Sequence, residues 1–483
     1  MTSIITQEVY SVFSTTSSRT NRYRLQGNRT LTPNKSASTL RLEKEPTMPS
    51  FQTLQGLVWN EIVQREEEGV DTTGYVERWQ EATDLGSLWN LYHELMLLPI
   101  RKDFPYTEPS DLPGIRAERD EGVRRFKMTI CEEDLLDRLY GAWLGRVAGC
   151  MLGKPVEGWS HERIRQYLEG ADAYPMTDYL PAQTRTPPEG VPQPYTWCTK
   201  GHIRGGERDD DTDYTVLALH LFETHGANFT TRDVGNAWLH LLPAYQTYTA
   251  ERQAYISLVN ELPLEQVPIY LNPYREWIGA RIRADFWGYV APGMPERAAE
   301  FAHRDASLSH VKNGIYGEMF TAAMIATAFA TQDVEQIIRA GLAEIPARSR
   351  EAEMIRDCLR WRRECASWQE AFDRLLNRYY GKYHPVHTVN NDAIVLNALL
   401  WGWPDFEKVI TIAVMQGMDT DCNGATAGSI WGAAFGAKAM PAKWVEPLQD
   451  RLASAVFGFA ENRISELAKR TLKQATQVLT GSG

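Results

Sequence analysis

The chain has 483 residues, 43% of them hydrophobic and 23% charged, with a formal net charge of −11. That length holds two or three average domains, or one large core with an appendage. Acidic excess spread along the chain excludes the basic footprint of a nucleic-acid binder, and the lack of any apolar run of about eighteen residues excludes a helical membrane span.

Residues 1–47 are rich in Ser and Thr and carry seven Lys or Arg against three Glu. They read as a disordered tail, or as sequence upstream of a start at Met48; import into an organelle through this segment is the other reading. From Phe51 the pattern turns helical, with Leu54, Leu57, Val58 and Ile62 on one face, and then Leu88, Leu91, Tyr92, Leu95 and Leu98 on another. Pro99, Pro105, Pro109 and Pro113 follow, so residues 48–130 are expected to form a helical extension ending in a Pro-rich linker.

The main domain is expected over 131–483. Its first helix shows Leu135, Leu136, Leu139, Tyr140 and Trp143 at helical spacing, and a Pro-rich loop (Pro181, Pro187, Pro188, Pro192, Pro194) comes later. Helical periodicity marks 213–225, 314–330, 333–345, 349–379, 391–402, 405–416, 423–439 and 460–479, with Asp333 and Gln336 as a capping pair. Alternating Val, Ile and Thr are nearly absent, so the fold class is all-α. The six cysteines (131, 150, 198, 358, 365, 422) make no CxxC and no zinc spacing. Such thiols fit a reducing compartment, here the cytoplasm.

Three stretches carry the chemistry. The first, Asp137-Arg-Leu-Tyr-Gly141-Ala-Trp-Leu-Gly145-Arg-Val-Ala-Gly149-Cys-Met-Leu-Gly153-Lys-Pro-Val-Glu157, places glycines every fourth residue on one helix face, ending in a lone carboxylate behind Pro155. The second, Glu207-Arg208-Asp209-Asp210-Asp211-Thr212-Asp213, precedes an apolar helix. One aspartate at a helix N-terminus accepts backbone N–H bonds and complements the dipole. Three in a row repel one another, which points to a hard divalent cation such as Mg²⁺ or Mn²⁺. The third, Met418-Asp419-Thr-Asp421-Cys422-Asn423-Gly424, has the opening spacing of a calcium loop. Position 12 of that loop, however, falls on Ile430 instead of Glu, and a run of small residues follows, so it is read as a second acidic helix mouth.

In this order the three stretches resemble the ADP-ribosylglycohydrolase family, over roughly residues 134–440. The resemblance implies a compact orthogonal all-α bundle holding two Mg²⁺ or Mn²⁺ ions between the acidic motifs. It implies metal ligation by Asp210 and Asp211, with Asp209 where the family has Ser or Thr, and by Asp419 and Asp421, with Cys422 in place of a threonine ligand. Glu157 takes the place of the family's mobile glutamate, the catalytic candidate, and Cys150 stands where many members have aspartate. The stretch Ala306-Ser-Leu-Ser-His310 is similar to a substrate-side segment, so His310, Asn313 and Gly314 are the substrate-binding candidates, although His310 reads equally as a core histidine.

The activity implied is metal-dependent hydrolysis of the C1″ N- or O-ribosyl bond of an ADP-ribosyl or related ribosyl conjugate, small or protein-linked, through an oxocarbenium-like transition state. Hydrolysis of a free nucleoside or nucleotide on the same scaffold is the alternative, as is a non-catalytic crystallin-like relative. Trp159 and Trp197 are candidates to stack a base. Asp209 makes a fifth carboxylate; two divalent ions would leave one negative charge, which favours a less anionic substrate unless Arg208 offsets it.

Overall fold

The computed structural model describes residues 49–183 and 196–481; the segment 1–47 and prolines 187, 188, 192 and 194 lie outside the described residues. The all-α expectation holds. Among the described residues, twenty α-helices stand against one antiparallel pair of three-residue strands, Arg451–Ala453 and Glu461–Arg463, with Leu452 opposite Asn462. The helices that matter here are α1 (Phe51–Glu67), α2 (Leu85–Leu97), α3 (Glu132–Gly153), α4 (Asp210–His225), α5 (Ala284–Val290), α6 (Lys312–Ala328), α7 (Arg350–Glu364), α8 (Trp368–Tyr379), α9 (Thr388–Gly402), α10 (Phe406–Met415), α11 (Thr420–Phe435) and α12 (Ile464–Thr480).

Several boundaries differ from the periodicity: Glu461–Arg463 is strand, so the helix expected from 460 begins at Ile464, and two further differences have a clear local cause. The stretch expected as one helix over 349–379 is two, because Cys365 is extended and Ser367 opens α8 by accepting a hydrogen bond from the Glu370 N–H. The helix expected to reach 439 stops at Phe435. Gly436 follows at φ +82, a left-handed conformation that glycine adopts without the Cβ clash.

The core is organised by direct backbone contact between α3 and α11, which run antiparallel. Gly141, Gly145, Gly149 and Gly153 of α3 lie against Gly432, Gly428, Gly424 and Thr420 of α11 in turn. A Cβ added to Gly424 would stand 2.6 Å from the Gly149 carbonyl oxygen, and one on Gly141 only 2.5 Å from the Gly436 carbonyl carbon. Glycine is required along this seam because neither backbone leaves room for a side chain. The apolar positions of both helices then pack outward into one contiguous core with α5, α6, α9, α10 and α12.

The extension docks in two layers. Leu54, Leu57, Val58 and Ile62 of α1 and Leu88, Leu91 and Leu95 of α2 form a second small core that takes in Leu271. Beneath it lies a buried ionic layer. Arg275 makes a forked pair with Glu61 at 2.8 Å and bonds Glu68 at 2.9 Å, and Arg350 bridges Glu108 and Glu276 at 2.7 Å. Arg350 also donates to the Glu67 carbonyl at 2.9 Å, and Gln64 donates to Glu276 at 2.8 Å. Burying such charges costs solvation that only forked, fully bonded geometry offsets, so losing one partner is far more damaging than never having had the pair.

Candidate metal centre

The seam decides where the acids meet. With Gly153 against Thr420, whose hydroxyl donates to the Gly153 carbonyl at 2.8 Å, the chain leaving α3 passes beside the mouth of α11. There the Gly158 N–H donates to the Met418 carbonyl at 3.0 Å and the Met418 N–H to the Trp159 carbonyl at 3.2 Å, fixing Glu157 beside Asp419 and Asp421. The α4 mouth is anchored from inside. Arg146, fully buried in α3, donates to the Asp211 carbonyl (2.7 Å), to Asp285 (2.7 Å) and to the Ile282 carbonyl (2.6 Å). Two carboxylate groups result, Glu157–Asp419–Asp421 and Asp209–Asp210–Asp211, each able to offer oxygens lying within 4.8 Å of one another.

The electrostatics tie the two groups together. Burial, then the Asp421 charge, pushes the Asp211 carboxyl well above the usual range, and Asp419 is raised in the same way. Asp210 is raised by burial and by Asp209, and Asp421 by burial to about 6. Glu157, exposed at the rim, is pushed up chiefly by the Asp421 charge. Acids so crowded cannot all ionise unless a cation joins them. The residues fit a hard divalent ion: every donor is a carboxylate oxygen, and Oδ1 of Asp421 is buried without a hydrogen-bond partner. The Asp419 side chain is not spent on capping α11 either.

The sequence model of the ADP-ribosylglycohydrolase family matches residues 132–479. The chain belongs to the ADP-ribosylglycohydrolase family. It is also similar to an uncharacterized protein of Archaeoglobus fulgidus, 26% identical over 327 residues, a match that covers 64% of this chain and 90% of that protein. Among solved structures it resembles an ADP-ribosylglycohydrolase-related protein complex at 18% identity and a TM-score of 0.42, covering 71% of this chain and 99% of the other.

In this member of the ADP-ribosylglycohydrolase family several of the expected residues are engaged by other side chains. Asp209 uses both carboxylate oxygens within the protein: Oδ1 accepts from the Asp211 N–H at 3.0 Å, capping α4, and Oδ2 is ion-paired with the Lys154 ammonium. Burial alone would raise its pKa, but Lys154 outweighs burial and holds it below the usual range. The extra carboxylate therefore has its own cation, and that cation is Lys154. Arg208 is committed to Asp213 at 2.7 Å. Cys422 is fully buried with its Sγ 2.8 Å from an Arg281 nitrogen, and it belongs to neither carboxylate group. Arg281 also donates to Asn423 (2.7 Å) and Asp392 (2.9 Å), so it grips the first turn of α11 from behind. Asn391 supports the same turn, accepting from the Asp419 N–H at 3.3 Å and from the Asn423 amide at 2.9 Å.

The three substrate-binding candidates are not brought to the acidic mouths. His310 is fully buried, bonded to Ser309 at 2.8 Å and 3.9 Å from Glu251, and burial pushes its pKa well down. Asn313 is a buried node of the ionic layer under the extension, donating to Glu108 (2.9 Å) and Glu276 (2.7 Å) and accepting from the Glu351 N–H (3.0 Å). Gly314 abuts the Arg275 carbonyl and the His310 ring. Trp159 is buried edge-on to Tyr167, whereas Trp197 is half exposed. Lys154, Arg146, Arg281 and Asn391 were not singled out from sequence. The signal for the first two was in plain view: cations inside and at the end of a glycine-striped helix that leads to a lone glutamate.

Proposed function

We propose that the chain is a metal-dependent glycohydrolase that cleaves the C1″ ribosyl bond of an ADP-ribosyl or related ribosyl conjugate. The observation that carries the reading is the pair of acidic helix mouths, Asp210–Asp211 and Asp419–Asp421, whose charges act on one another, with Glu157 beside the second and the Asp421 Oδ1 left unpartnered. Those four aspartates would hold a pair of divalent cations, Mg²⁺ or Mn²⁺, on rigid helix ends. When bound, such a pair supplies Lewis-acid polarisation of water and a fixed seat for ribose hydroxyls.

The chain's own residues supply the rest. Glu157 stands at the solvent-facing rim of the group, where its carboxylate accepts the proton of the attacking water or returns one to the departing group. Arg146, Arg281 and Asn391 hold the two mouths in place, so the carboxylates need no reorganisation as charge develops on the ribose ring. The test is a hydrolysis screen in Mn²⁺ or Mg²⁺ against ADP-ribosyl conjugates and free nucleosides. Turnover that needs the metal and is abolished in Asp210→Ala and Glu157→Ala supports the reading. Metal binding without turnover of any ribosyl compound would leave a non-catalytic relative.

A further inference from the structure

We propose that Lys154 is the resident counter-charge of the metal centre, a positioning residue that withdraws Asp209 from the ligand set and lowers the negative charge that a phosphate-bearing ribosyl substrate meets there. The inference rests on the metal reading above and goes further, by assigning the role of two residues and the charge class of the substrate.

Lys154 is the first residue past α3, directly after the Gly153–Thr420 contact, so its backbone is fixed by the seam. From there its ammonium crosses to the α4 mouth, pairing with Asp209 Oδ2 and donating to the Arg208 carbonyl at 3.1 Å. Its side chain is only 20% exposed and that of Asp209 3%, so the pair is little screened by solvent. Of the neighbouring cations, Arg208 is engaged on Asp213, and Arg146 on Asp285 and the Asp211 carbonyl, with a longer contact of 3.4 Å to the Asp211 carboxylate. Asp209 caps α4, while Asp419, the corresponding residue of the other mouth, makes no side-chain cap. The two mouths are thus unequal: one aspartate serves the helix and the lysine, and the other four aspartates are left for the ions. The four aspartates balance two divalent charges, Lys154 balances Asp209, and Glu157 at the rim is the one acid of the two groups left over. Lys154 thereby removes one of the two negative charges that an anionic diphosphate would otherwise meet at the mouth, Glu157 being the other.

The test is calorimetric titration of the full chain with Mn²⁺ alone, using wild type, Lys154→Met, Asp209→Asn and the double variant. Methionine keeps most of the apolar stem; if Lys154→Met does not fold by its melting curve, Lys154→Gln takes its place. Lys154→Met exposes a fifth carboxylate and is expected to bind Mn²⁺ about tenfold tighter, as an unopposed unit charge at short range implies. Asp209→Asn leaves the ammonium unopposed and is expected to bind about tenfold weaker, with the double variant within about threefold of wild type. On the Mn²⁺-loaded proteins, ADP-ribose is expected to bind several-fold weaker to Lys154→Met than to wild type, with adenosine affinity unchanged.

Unchanged or weaker Mn²⁺ binding by Lys154→Met overturns the inference. So does a double variant as weak as Asp209→Asn alone, since that would make Asp209 a direct ligand. Equal losses for ADP-ribose and adenosine overturn the charge assignment. Failure of wild type itself to bind Mn²⁺ would instead remove the metal reading, and this inference with it.

Discussion

Replacing Gly424 by alanine tests the seam directly. The new Cβ would stand 2.6 Å from the Gly149 carbonyl oxygen, 3.1 Å from its carbonyl carbon and 3.2 Å from Val414 Cγ2. Ordinary van der Waals contact begins near 3.4 Å, so α3 and α11 must part by about 0.8 Å at the metal end of the seam. The two nearest obstructing atoms are helix backbone and cannot rotate away. Overpacking of this kind costs roughly 1–3 kcal/mol, and rigid backbone puts the expected loss near 3 kcal/mol. The assay is urea denaturation followed by circular dichroism. Gly56→Ala serves as the control: Gly56 lies exposed in α1 with nothing within 4 Å of an added Cβ, and helix propensity predicts a gain of up to about 1 kcal/mol. The same chemical change should therefore have opposite signs at the two sites. The separation should also move Asp421 relative to Glu157 and weaken Mn²⁺ binding. A Gly424→Ala protein as stable as wild type would refute the account of the seam.

Other expectations bear on the centre, its support and the extension. Mn²⁺ should raise the melting temperature of wild type, by the equivalent of about 2.7 kcal/mol at a hundred times the dissociation constant, and leave Asp421→Asn unmoved; an equal rise in both would place the ion elsewhere. Arg281→Met leaves buried Asp392 without its partner and should cost about 3–5 kcal/mol in urea midpoint analysis. Arg281→Lys should recover only part of it, because one ammonium cannot bridge Asp392, Asn423 and Cys422, and full recovery would reduce Arg281 to a mere charge.

Burial raises Glu67 from an ordinary 4.5 to about 8. The folded state therefore prefers the protonated acid, so this contribution to stability is complete below pH 4.5 and is lost as pH climbs towards 8, at up to about 1.4 kcal/mol per unit. His384, pushed down by burial to about 4, acts with the opposite sign and at more acid pH. Stability of wild type should thus fall from pH 6.5 to 8, and Glu67→Gln should flatten that slope. Parallel profiles would remove Glu67 as the cause.

The centre was legible in sequence to the extent that its chemistry is local. Aspartates crowded at 209–211 and spaced at 419 and 421 announce their repulsion without any coordinates, and glycines every fourth residue from 141 to 153 announce a close helix contact. Their convergence was readable only through the family pattern; physically it follows from the antiparallel seam, a tertiary fact. What stayed hidden was partner choice. Nothing in Gly153-Lys-Pro-Val-Glu157 says that Lys154, and not Arg208, reaches Asp209, because that depends on where the end of α3 faces across the fold. The Ser309–His310 segment stayed open for a related reason: a histidine beside serines looks the same in sequence whether it faces solvent or, as here, a buried arginine–glutamate cluster. Ser367 and Gly436 misplaced helix ends because caps act through single hydrogen bonds or single dihedrals, which apolar periodicity does not register.

Two peptide ribbons pressed together with no side chains between them work as a calliper of fixed opening. The span from Glu157 to Asp419 is then a property of main-chain dimensions, insulated from whatever substitutions accumulate on the outer faces of either rod. Repainting those faces can retune solubility, partners or neighbouring loops while the jaws keep their setting.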